Sequence, residues 1–441
     1  MPMVRIGCGA GFAGDRLEPA LVLAERGELD YLILECLGER TVALAQLRRR
    51  HDPDGGYDPL LERRMTGLLP LIARNRIGVI TNMGAANPLA AAERIVAIAR
   101  RLGVKVRVAA VTGDDVLDAI DPNQPSLESG EPLKRAGPLV SANAYLGIDA
   151  ILPALAGGAD IVVTGRVADP SLALAPLVHR FDWRLDDALR LARGTVVGHL
   201  LECAGQLTGG YYADPGKKDV AGLAELGFPF ADVDEDGNAR LGKVAGTGGR
   251  IDLATVTEQL LYEVTDPAAY ATPDVVADFS TVALREVGPD AVAVSGACGR
   301  PRPDRLKVSV GYHAGYVGEG EIGYGGENCV ARARLAGEIV TARLRGAFQE
   351  LRVDLVGLTA LHAQPLPVAA EYRPYEVRLR VAGRSADETT ARRVGEEVEA
   401  LYTNGPAGGG GARKLVTEQI GVVSCLIPRD AIEPQVTCFE S

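Results

Sequence analysis

The chain has 441 residues, which at about 150 residues per domain predicts two to three domains. Its 47 basic and 58 acidic side chains give a net charge of −11, which argues against generic attraction to nucleic acid or to anionic membranes. The apolar runs are too short for a membrane-spanning helix, no secretory signal pattern is found, and seven widely spaced cysteines without a CxxC pair predict reduced thiols in a cytoplasmic protein.

The first half of the chain alternates strand-like and helix-like segments. Short, continuously apolar runs predict strands covered on both faces, as in a parallel sheet, at residues 4–8, 31–35, 77–81, 106–111 and 160–164. Helical spacing predicts helices over residues 17–26, 41–50, 59–74, 88–102, 145–157, 170–180 and 184–206. This order is typical of βαβ units and predicts a parallel, Rossmann-like α/β domain over residues 1–215.

The pattern changes after about residue 215. Residues 230–244 predict a hairpin around the turn DEDGN, and residues 251–264 predict a helix. Alternating polar and apolar residues between about 274 and 325 are typical of an antiparallel sheet with one open face. Further helices are predicted at 328–346 and 387–402, with strands at 349–357, 375–382 and 415–426. We therefore predict an α+β domain with a mixed or antiparallel sheet over residues 216–441.

Polar, glycine-containing segments follow all five predicted parallel strands. Because the carboxyl ends of parallel strands meet at one edge of an open sheet, where ligands bind, we expect these segments to converge. The candidates for acid–base catalysis there are Glu35 and Asp169, and Arg166 is expected to hold a substrate carboxylate. The candidates for substrate or oxyanion binding are Gly9, Gly11, Asp15, Asn82, Asn87 and Asn143.

The first of these segments also contains the spacing GxGxxG. Gly9, Gly11 and Gly14 follow a predicted strand, and Glu35 ends the next one, as in a dinucleotide-binding site. A single such motif is a weak signal, and a glycine-rich turn that serves packing is the simpler interpretation. Asp15 would place a carboxylate beside the phosphates, so NAD is disfavoured as a cofactor.

Three reactive side chains share one face of the predicted helix 184–206. His199 precedes Glu202 by three residues and Cys203 by four. A thiol, an imidazole and a carboxylate at this spacing could form a nucleophile with its base, or bind a metal. The alternative is a helix face that packs inside the protein, with an inert buried cysteine. We take His199 and Glu202 as candidate site residues.

A second candidate anion site precedes the predicted helix 251–264. Backbone amides at a helix start, together with an arginine, bind carboxylates and phosphates, although plain helix capping is the alternative. The residues concerned are Gly246, Thr247, Gly248, Gly249 and Arg250. Oxygen ligands for Mg²⁺ or Ca²⁺ could come from Asp15, Glu35, Asp114 and Asp169, but no spacing demands a metal. The motifs HExxH, GxSxG and GxxxxGK[ST] are absent.

Several long motifs resemble the acyclic terpene utilisation family. They include GCGAGFAGDR (7–16), DYLILECLGERT (30–41), ITNMGAANP (80–88) and GHLLECAGQLTGG (198–210). The resemblance implies a metabolic context of branched acyl-CoA and terpenoid catabolism, beside acyl-CoA carboxylases, without an agreed reaction or known catalytic residues. Some members carry an additional small C-terminal domain. This chain ends in IEPQVTCFES and is expected to lack that domain, which leaves two alternatives open: it acts alone, or it requires a separate small partner subunit.

The residues and the resemblance together favour an enzyme acting on a carboxylate or acyl-CoA-type thioester. We expect acid–base chemistry of hydratase, lyase or hydrolase type at the strand carboxyl ends, facing the second predicted domain. Two alternatives stay open: a noncatalytic accessory or ligand-binding subunit, and a nicotinamide-dependent oxidoreductase. For an enzyme of this size a homo-oligomer is expected.

Overall fold

A computed structural model describes residues 2–362 and 374–441. Contacts divide the chain into two compact units, of which the first comprises Met1–Leu133, Leu139–Gly311 and Val422–Ser441 and the second comprises Lys134–Pro138 and Tyr312–Gly421. The boundary that we predicted near residue 215 does not coincide with this division, because residues 229–234 pair with the first strand of the chain. Within the described part of the chain, none of the helices combines the length and apolar character needed to span a bilayer.

The described residues form a mixed α/β architecture. The strands are β1 (Met3–Cys8), β2 (Tyr31–Leu34), β3 (Gly78–Thr81), β4 (Arg107–Thr112), β5 (Leu139–Ala144), β6 (Ile161–Thr164), β7 (Pro229–Asp234), β8 (Ala239–Lys243), β9 (Tyr270–Ala271), β10 (Val276–Asp278), β11 (Ala283–Gly288), β12 (Ala291–Ser295), β13 (Cys298–Arg300), β14 (Arg305–Gly325), β15 (Glu350–Val356), β16 (Glu376–Ser385), β17 (Gly409–Pro428) and β18 (Gln435–Glu440). The helices are α1 (Glu18–Arg26), α2 (Glu39–His51), α3 (Leu61–Asn75), α4 (Pro88–Leu102), α5 (Ile148–Ala156), α6 (Ser171–Phe181), α7 (Ala188–Glu202), α8 (Leu253–Leu261), α9 (Cys329–Arg343), α10 (Glu388–Glu399) and α11 (Leu401–Asn404).

The first unit is built on one large mixed sheet, with the strand order β11-β12-β8-β7-β1-β2-β3-β6-β4-β18. Its centre, β1-β2-β3-β6-β4, is parallel throughout, so all five strands predicted from the apolar runs are confirmed. Leu32, Ile33 and Leu34 of β2 are fully buried, as expected for a strand covered on both faces. The flanking strands β7 and β18 pair antiparallel to β1 and β4. The more specific Rossmann-like assignment stays a prediction.

Local sequence sets the ends of the helices that border the site. Asp187 caps α7 by accepting a hydrogen bond from the amide of Arg190, so this helix begins four residues later than predicted. Asp252 caps α8 in a capping box with Thr255. Residues 139–144, which lacked an apolar run, form β5, which pairs with β14. The predicted hairpin is confirmed as β7 and β8.

The second unit contains an antiparallel sheet covered by helices. Strand β16 pairs antiparallel with both β14 and β15. Its residues alternate between the core and solvent, so Val377, Leu379 and Val381 pack in a cluster with Val340 of α9 and Val394 of α10. The predicted helices and strands in this part of the chain are thus present.

Candidate functional site

Two neighbouring cavities in the first unit lie where the loops after β1, β2 and β6 meet the end of α7. Their volumes are about 660 and 420 Å³, within the range of roughly 300–1,000 Å³ typical of small-molecule sites. Of the described residues, those that border both cavities are all carboxylic acids: Glu39, Asp169, Glu202 and Glu263. The structure therefore brings together the predicted candidates Glu35, Asp169, His199 and Glu202, each of which borders at least one of the two cavities.

Arg166 is buried next to Asp169, one of the four acids that border both cavities (Glu39, Asp169, Glu202 and Glu263, here called the row of acids). Its side chain is 1% exposed, donates a hydrogen bond to the carboxylate of Asp169, and stacks on the ring of Tyr145 at 4.2 Å. It borders neither cavity, so the predicted direct contact with a substrate carboxylate is not supported. Nε and Nη1 have no hydrogen-bond partner among the described residues. Arg166 instead positions Asp169 and supplies a buried positive charge.

Glu35 is a buried acid at the end of β2. Its Oε1 accepts hydrogen bonds from the amide of Leu37 at 2.8 Å and from Nδ2 of Asn82 at 3.0 Å. Burial, with a smaller effect of the nearby Asp169, raises the pKa of Glu35 to about 8. Oδ1 of Asn82 accepts the amide of Cys36, so both ends of this side chain are used. Asn82 therefore orients Glu35, and its predicted role as an oxyanion donor is not supported.

Burial also raises the pKa values of Asp169 and Glu202, two of the acids that border both cavities. Burial raises the pKa of Asp169, against the opposing effect of Arg166. Burial also raises the pKa of Glu202 to about 7, with His199 acting in the opposite direction. A carboxyl group with a pKa of about 7, like that of Glu202, exchanges protons near neutral pH, which is the property that an acid–base catalyst needs.

Glu39 has the opposite character. The hydroxyl of Tyr145 donates a hydrogen bond to its Oε1, and Nζ of Lys307 lies 3.2 Å from the same oxygen. Although burial acts against ionisation, the hydrogen bond and the charges of Arg166 and Lys307 lower the pKa of Glu39 to about 2. Tyr145, Lys307 and Glu39 were not selected from the sequence, because nothing near each of them in the chain points to the others.

His199 is buried and contacts Glu202. Nδ1 lies 3.0 Å from Oε1 of Glu202, while Nε2 faces the carbonyl oxygens of Gln259 and Leu260 at 3.0 and 3.2 Å. Cys203, on the next turn, borders the larger cavity. Burial and the charge of Glu202 raise the pKa of the Cys203 thiol, so the structure does not favour the nucleophile interpretation.

The glycines of the first loop are explained by packing. A Cβ atom on Gly11 would lie 2.4 Å from the carbonyl carbon of Cys203, and one on Gly9 would lie 2.9 Å from Cδ2 of Leu34. The amide of Gly11 donates to Oδ2 of Asp15 at 2.8 Å, so it is not free for a phosphate. Asp15 itself borders the larger cavity. The loop thus gives no support to dinucleotide binding.

The segment 246–250 does not form the predicted anion site. The amides of Thr247, Gly248, Gly249 and Arg250 donate to the carbonyls of Val244, Glu225, Ala221 and Thr208. Helix α8 begins only at Leu253, and the side chain of Asp252 accepts its first amides. None of the residues Gly246, Thr247, Gly248, Gly249 and Arg250 borders either of the two cavities. The simpler expectation, a capped helix start, describes the geometry.

The remaining candidates lie apart from the row of acids. Asn87 caps α4 and donates through Nδ2 to the carbonyls of Pro53 and Gly55. Nδ2 of Asn143 donates to Asp114 at 2.8 Å. Asn87 and Asp114 border a separate cavity of about 810 Å³. Only the polar segments after β1, β2 and β6 therefore border the two cavities that share the acids.

The carboxylates proposed as metal ligands do not form a cluster of the required kind. Across residues 2–362 and 374–441, no group of three or more histidine, cysteine, aspartate or glutamate side chains is arranged to hold a metal ion. This holds for Asp15, Glu35, Asp114 and Asp169, of which Asp114 lies at the separate cavity.

The fold and the site together define a mixed α/β protein with a ligand-sized, acid-lined pair of cavities. Residues 4–438 match the model of the family described as acyclic terpene utilisation family protein AtuA, and the chain therefore belongs to that family. Membership implies a role in acyclic terpene utilisation. No curated protein matches the chain. Among solved structures, the de novo designed protein Foldit4 is 16% identical over 24% of this chain and 97% of that chain, with a TM-score of 0.17, which is too low to support an argument.

Proposed function

We propose that this chain is an enzyme that performs acid–base chemistry on a carboxylate or acyl-thioester substrate, by a hydratase, lyase or hydrolase type of reaction. The main support is that three acids with raised pKa values border two neighbouring ligand-sized cavities, namely the buried Glu35 and the partly buried Asp169 and Glu202, and that the buried Arg166 pairs with Asp169. A cluster of ionisable groups away from solvent destabilises a fold. Its presence beside a cavity therefore indicates that the cluster is retained for a function.

The three acids suit different roles. Asp169 is paired with Arg166, which favours its ionised form and makes it the candidate general base. Glu35 holds its proton at neutral pH, and because Oε1 already accepts two hydrogen bonds, the proton is expected on Oε2. A neutral carboxyl group of this kind can protonate a leaving group or donate to a carbonyl oxygen of the substrate.

The lining of the cavities supports a substrate with a charged and an apolar part. Lys307 and Arg305 border the smaller cavity and supply the positive charge that an anionic group requires. Phe12, Tyr211 and Leu223 border the larger cavity and are exposed, Tyr211 to 89%. Tyr211 also has a φ of +61°, a strained conformation for an aromatic residue, and such strain is often retained at ligand sites.

The test is a turnover screen of the full chain with saturated, 2,3-unsaturated and 3-hydroxy acyl-CoA thioesters and their free acids, followed by mass spectrometry. We expect one substrate–product pair to be interconverted, with kcat lowered by roughly 10²–10⁴-fold in Asp169→Asn and in Glu35→Gln. Glu93→Gln, which changes an exposed acid on α4 outside both cavities, serves as the matched control.

Two results would contradict the proposal. The melting temperature of the chain is measured with the same panel and with NAD. A rise with several members of the panel, without turnover of any of them, would favour a noncatalytic ligand-binding or accessory subunit. A rise with NAD alone would favour an oxidoreductase. Homo-oligomerisation, a small partner subunit and a cytoplasmic location belong to the same proposal, and light scattering after size-exclusion chromatography measures the first of these.

A further inference from the structure

The hydrogen bonds of His199 determine which of its nitrogens carries a proton. Nε2 lies 3.0 Å from the carbonyl oxygen of Gln259 and 3.2 Å from that of Leu260. Carbonyl oxygens only accept hydrogen bonds, so Nε2 must carry a hydrogen. The side-chain amide of Gln259 donates in return to the carbonyl of His199 at 3.1 Å, which holds α8 against α7 and keeps both acceptors in place.

This assignment fixes the state of the other nitrogen. With Nε2 protonated, Nδ1 at 3.0 Å from Oε1 of Glu202 either accepts a proton from a neutral carboxyl group or donates one as an imidazolium. A neutral imidazole facing a bare carboxylate would set two lone pairs against each other. His199 and Glu202 therefore share one proton at rest, and the pair is neutral overall.

The second carboxyl oxygen of Glu202, Oε2, does not take part in the contact with His199. Oε2 is buried and has no hydrogen-bond partner among the described residues, although Glu202 borders both cavities. A buried acceptor without a partner destabilises the protein, and a donor group of the bound substrate can supply the missing partner. His199, by contrast, is enclosed by the rings of Tyr270 and Phe279, each 5.3 Å away.

We propose that His199 and Glu202 form a dyad in which Oε2 of Glu202 exchanges a proton with the substrate and His199 stabilises each state through Nδ1. At rest, the imidazolium donates to the carboxylate at Oε1. When Oε2 takes a proton from the substrate, the pair becomes a monocation, with the imidazolium still donating to Oε1. Return of that proton to the substrate restores the neutral pair. Glu202 is thus the catalytic residue, and His199 is a positioning residue.

The charged and titratable groups around the dyad suit this cycle. Asp169 and Glu263 lie near Glu202, and negative charge on them favours the extra positive charge of the monocation. The groups packed against His199 are the phenol of Tyr270 and the apolar ring of Phe279, so Glu202 is its charged partner. Protonation of the dyad consequently depends on the whole row of acids and titrates in two coupled steps.

The first test measures the tautomer and needs no substrate. The full chain is labelled with ¹⁵N-histidine, and His199→Gln identifies one of the five histidines by the loss of its NMR signals. We expect Nε2 of His199 to stay protonated across the pH range, while Nδ1 changes. A protonated Nδ1 together with a bare Nε2 would overturn the proposal.

The second test measures the coupling. In Glu202→Gln the amide fills the same space and donates to Nδ1, so we expect the titration midpoint of His199 to fall by about one pH unit or more. His179→Gln, at an exposed position on α6, is the matched control and should leave that midpoint unchanged. An unchanged midpoint in Glu202→Gln would overturn the shared proton. If Glu202→Gln fails to fold, the tautomer of His199 measured in the unmodified chain still confirms or overturns the proposed dyad.

The catalytic half of this inference rests on the proposed function, and the two can fail separately. A confirmed tautomer and coupling without turnover in the acyl-CoA screen would refute the proposed function alone. Turnover without the coupling would refute the dyad alone. Once a substrate is known, His199→Gln should lower kcat and move the pH profile while leaving KM nearly unchanged, because His199 does not contact substrate. An unmoved pH profile would contradict its positioning role.

Discussion

Replacing Glu35 by glutamine should stabilise the first unit at alkaline pH and much less at acidic pH. The folded protein holds the proton of Glu35 up to a pKa of about 8, against 4.5 for an ordinary glutamate. The folded state therefore binds more protons than the unfolded state between these values, so the contribution of Glu35 to stability falls as the pH rises through this range. Glutamine does not titrate, and it can accept the same two hydrogen bonds through Oε1.

The magnitude follows from the same pKa values. Raising a pKa from 4.5 to about 8 corresponds to roughly 5 kcal/mol of lost stability once the pH exceeds 8. At pH 5 less than 1 kcal/mol of this is expressed, so the gain in Glu35→Gln should grow by roughly 4 kcal/mol between pH 5 and pH 8.5. The buried amide nitrogen of glutamine costs about 1–3 kcal/mol, but that cost is equal at both pH values and cancels in the comparison.

The assay is urea unfolding followed by the fluorescence of Trp183. This is the single tryptophan of the chain, it is buried in the first unit, and its indole donates to the carbonyl of Glu235 at 2.9 Å. Glu39→Gln is the control of opposite sign, since the pKa of Glu39 is lowered and its removal should destabilise the protein at neutral pH. A gain in Glu35→Gln that is the same at pH 5 and pH 8.5 would refute the reasoning.

The other predictions concern packing and the acid of opposite character. Gly11→Ala should destabilise the protein by about 1–3 kcal/mol, because the new methyl group meets the backbone of Cys203. Gly38→Ala is the control and should be nearly neutral, because its Cβ would meet only Oγ1 of Thr41 at 3.8 Å. Equal losses of stability in urea unfolding of the two variants would contradict this. Tyr145→Phe removes the donor to Glu39, so it should cost about 1.5–3 kcal/mol at pH 7. Because the pKa of Glu39 is lowered in the folded state, this cost should shrink as the pH falls from 4.5 towards 2, and a cost that does not change with pH would exclude the mechanism.

The sequence was most informative where a single predicted strand or helix also determines where its candidate site residues lie. Continuous apolar runs predicted the parallel strands, and the rule that ligands bind at their carboxyl ends selected Glu35 and Asp169. The spacing of His199 and Glu202 on one helix face placed that pair correctly, because a helix brings residues three apart into contact.

Other parts of the site depend on contacts between distant segments, which carry no local signal. Lys307 and Glu39 are 268 residues apart in the chain and meet because β14 and the start of α2 are neighbours in the fold. Glycine was the least informative residue type, since it permits close approach by a ligand and by protein backbone alike. At Gly11 the approaching group is the backbone of Cys203, and at Gly248 it is the carbonyl oxygen of Gly222.

Charge balance explains why acids of such different character coexist at this site. One buried guanidinium, that of Arg166, lies among several carboxyl groups, and a single positive charge cannot neutralise all of them. Glu39 obtains its own donors from Tyr145 and Lys307 and can ionise, while Glu35 retains a proton instead. Protons thus substitute for missing cations in this cluster. Under the proposed function, an anionic substrate would add negative charge beside these acids, raise their pKa values further and so find a proton next to it when it binds.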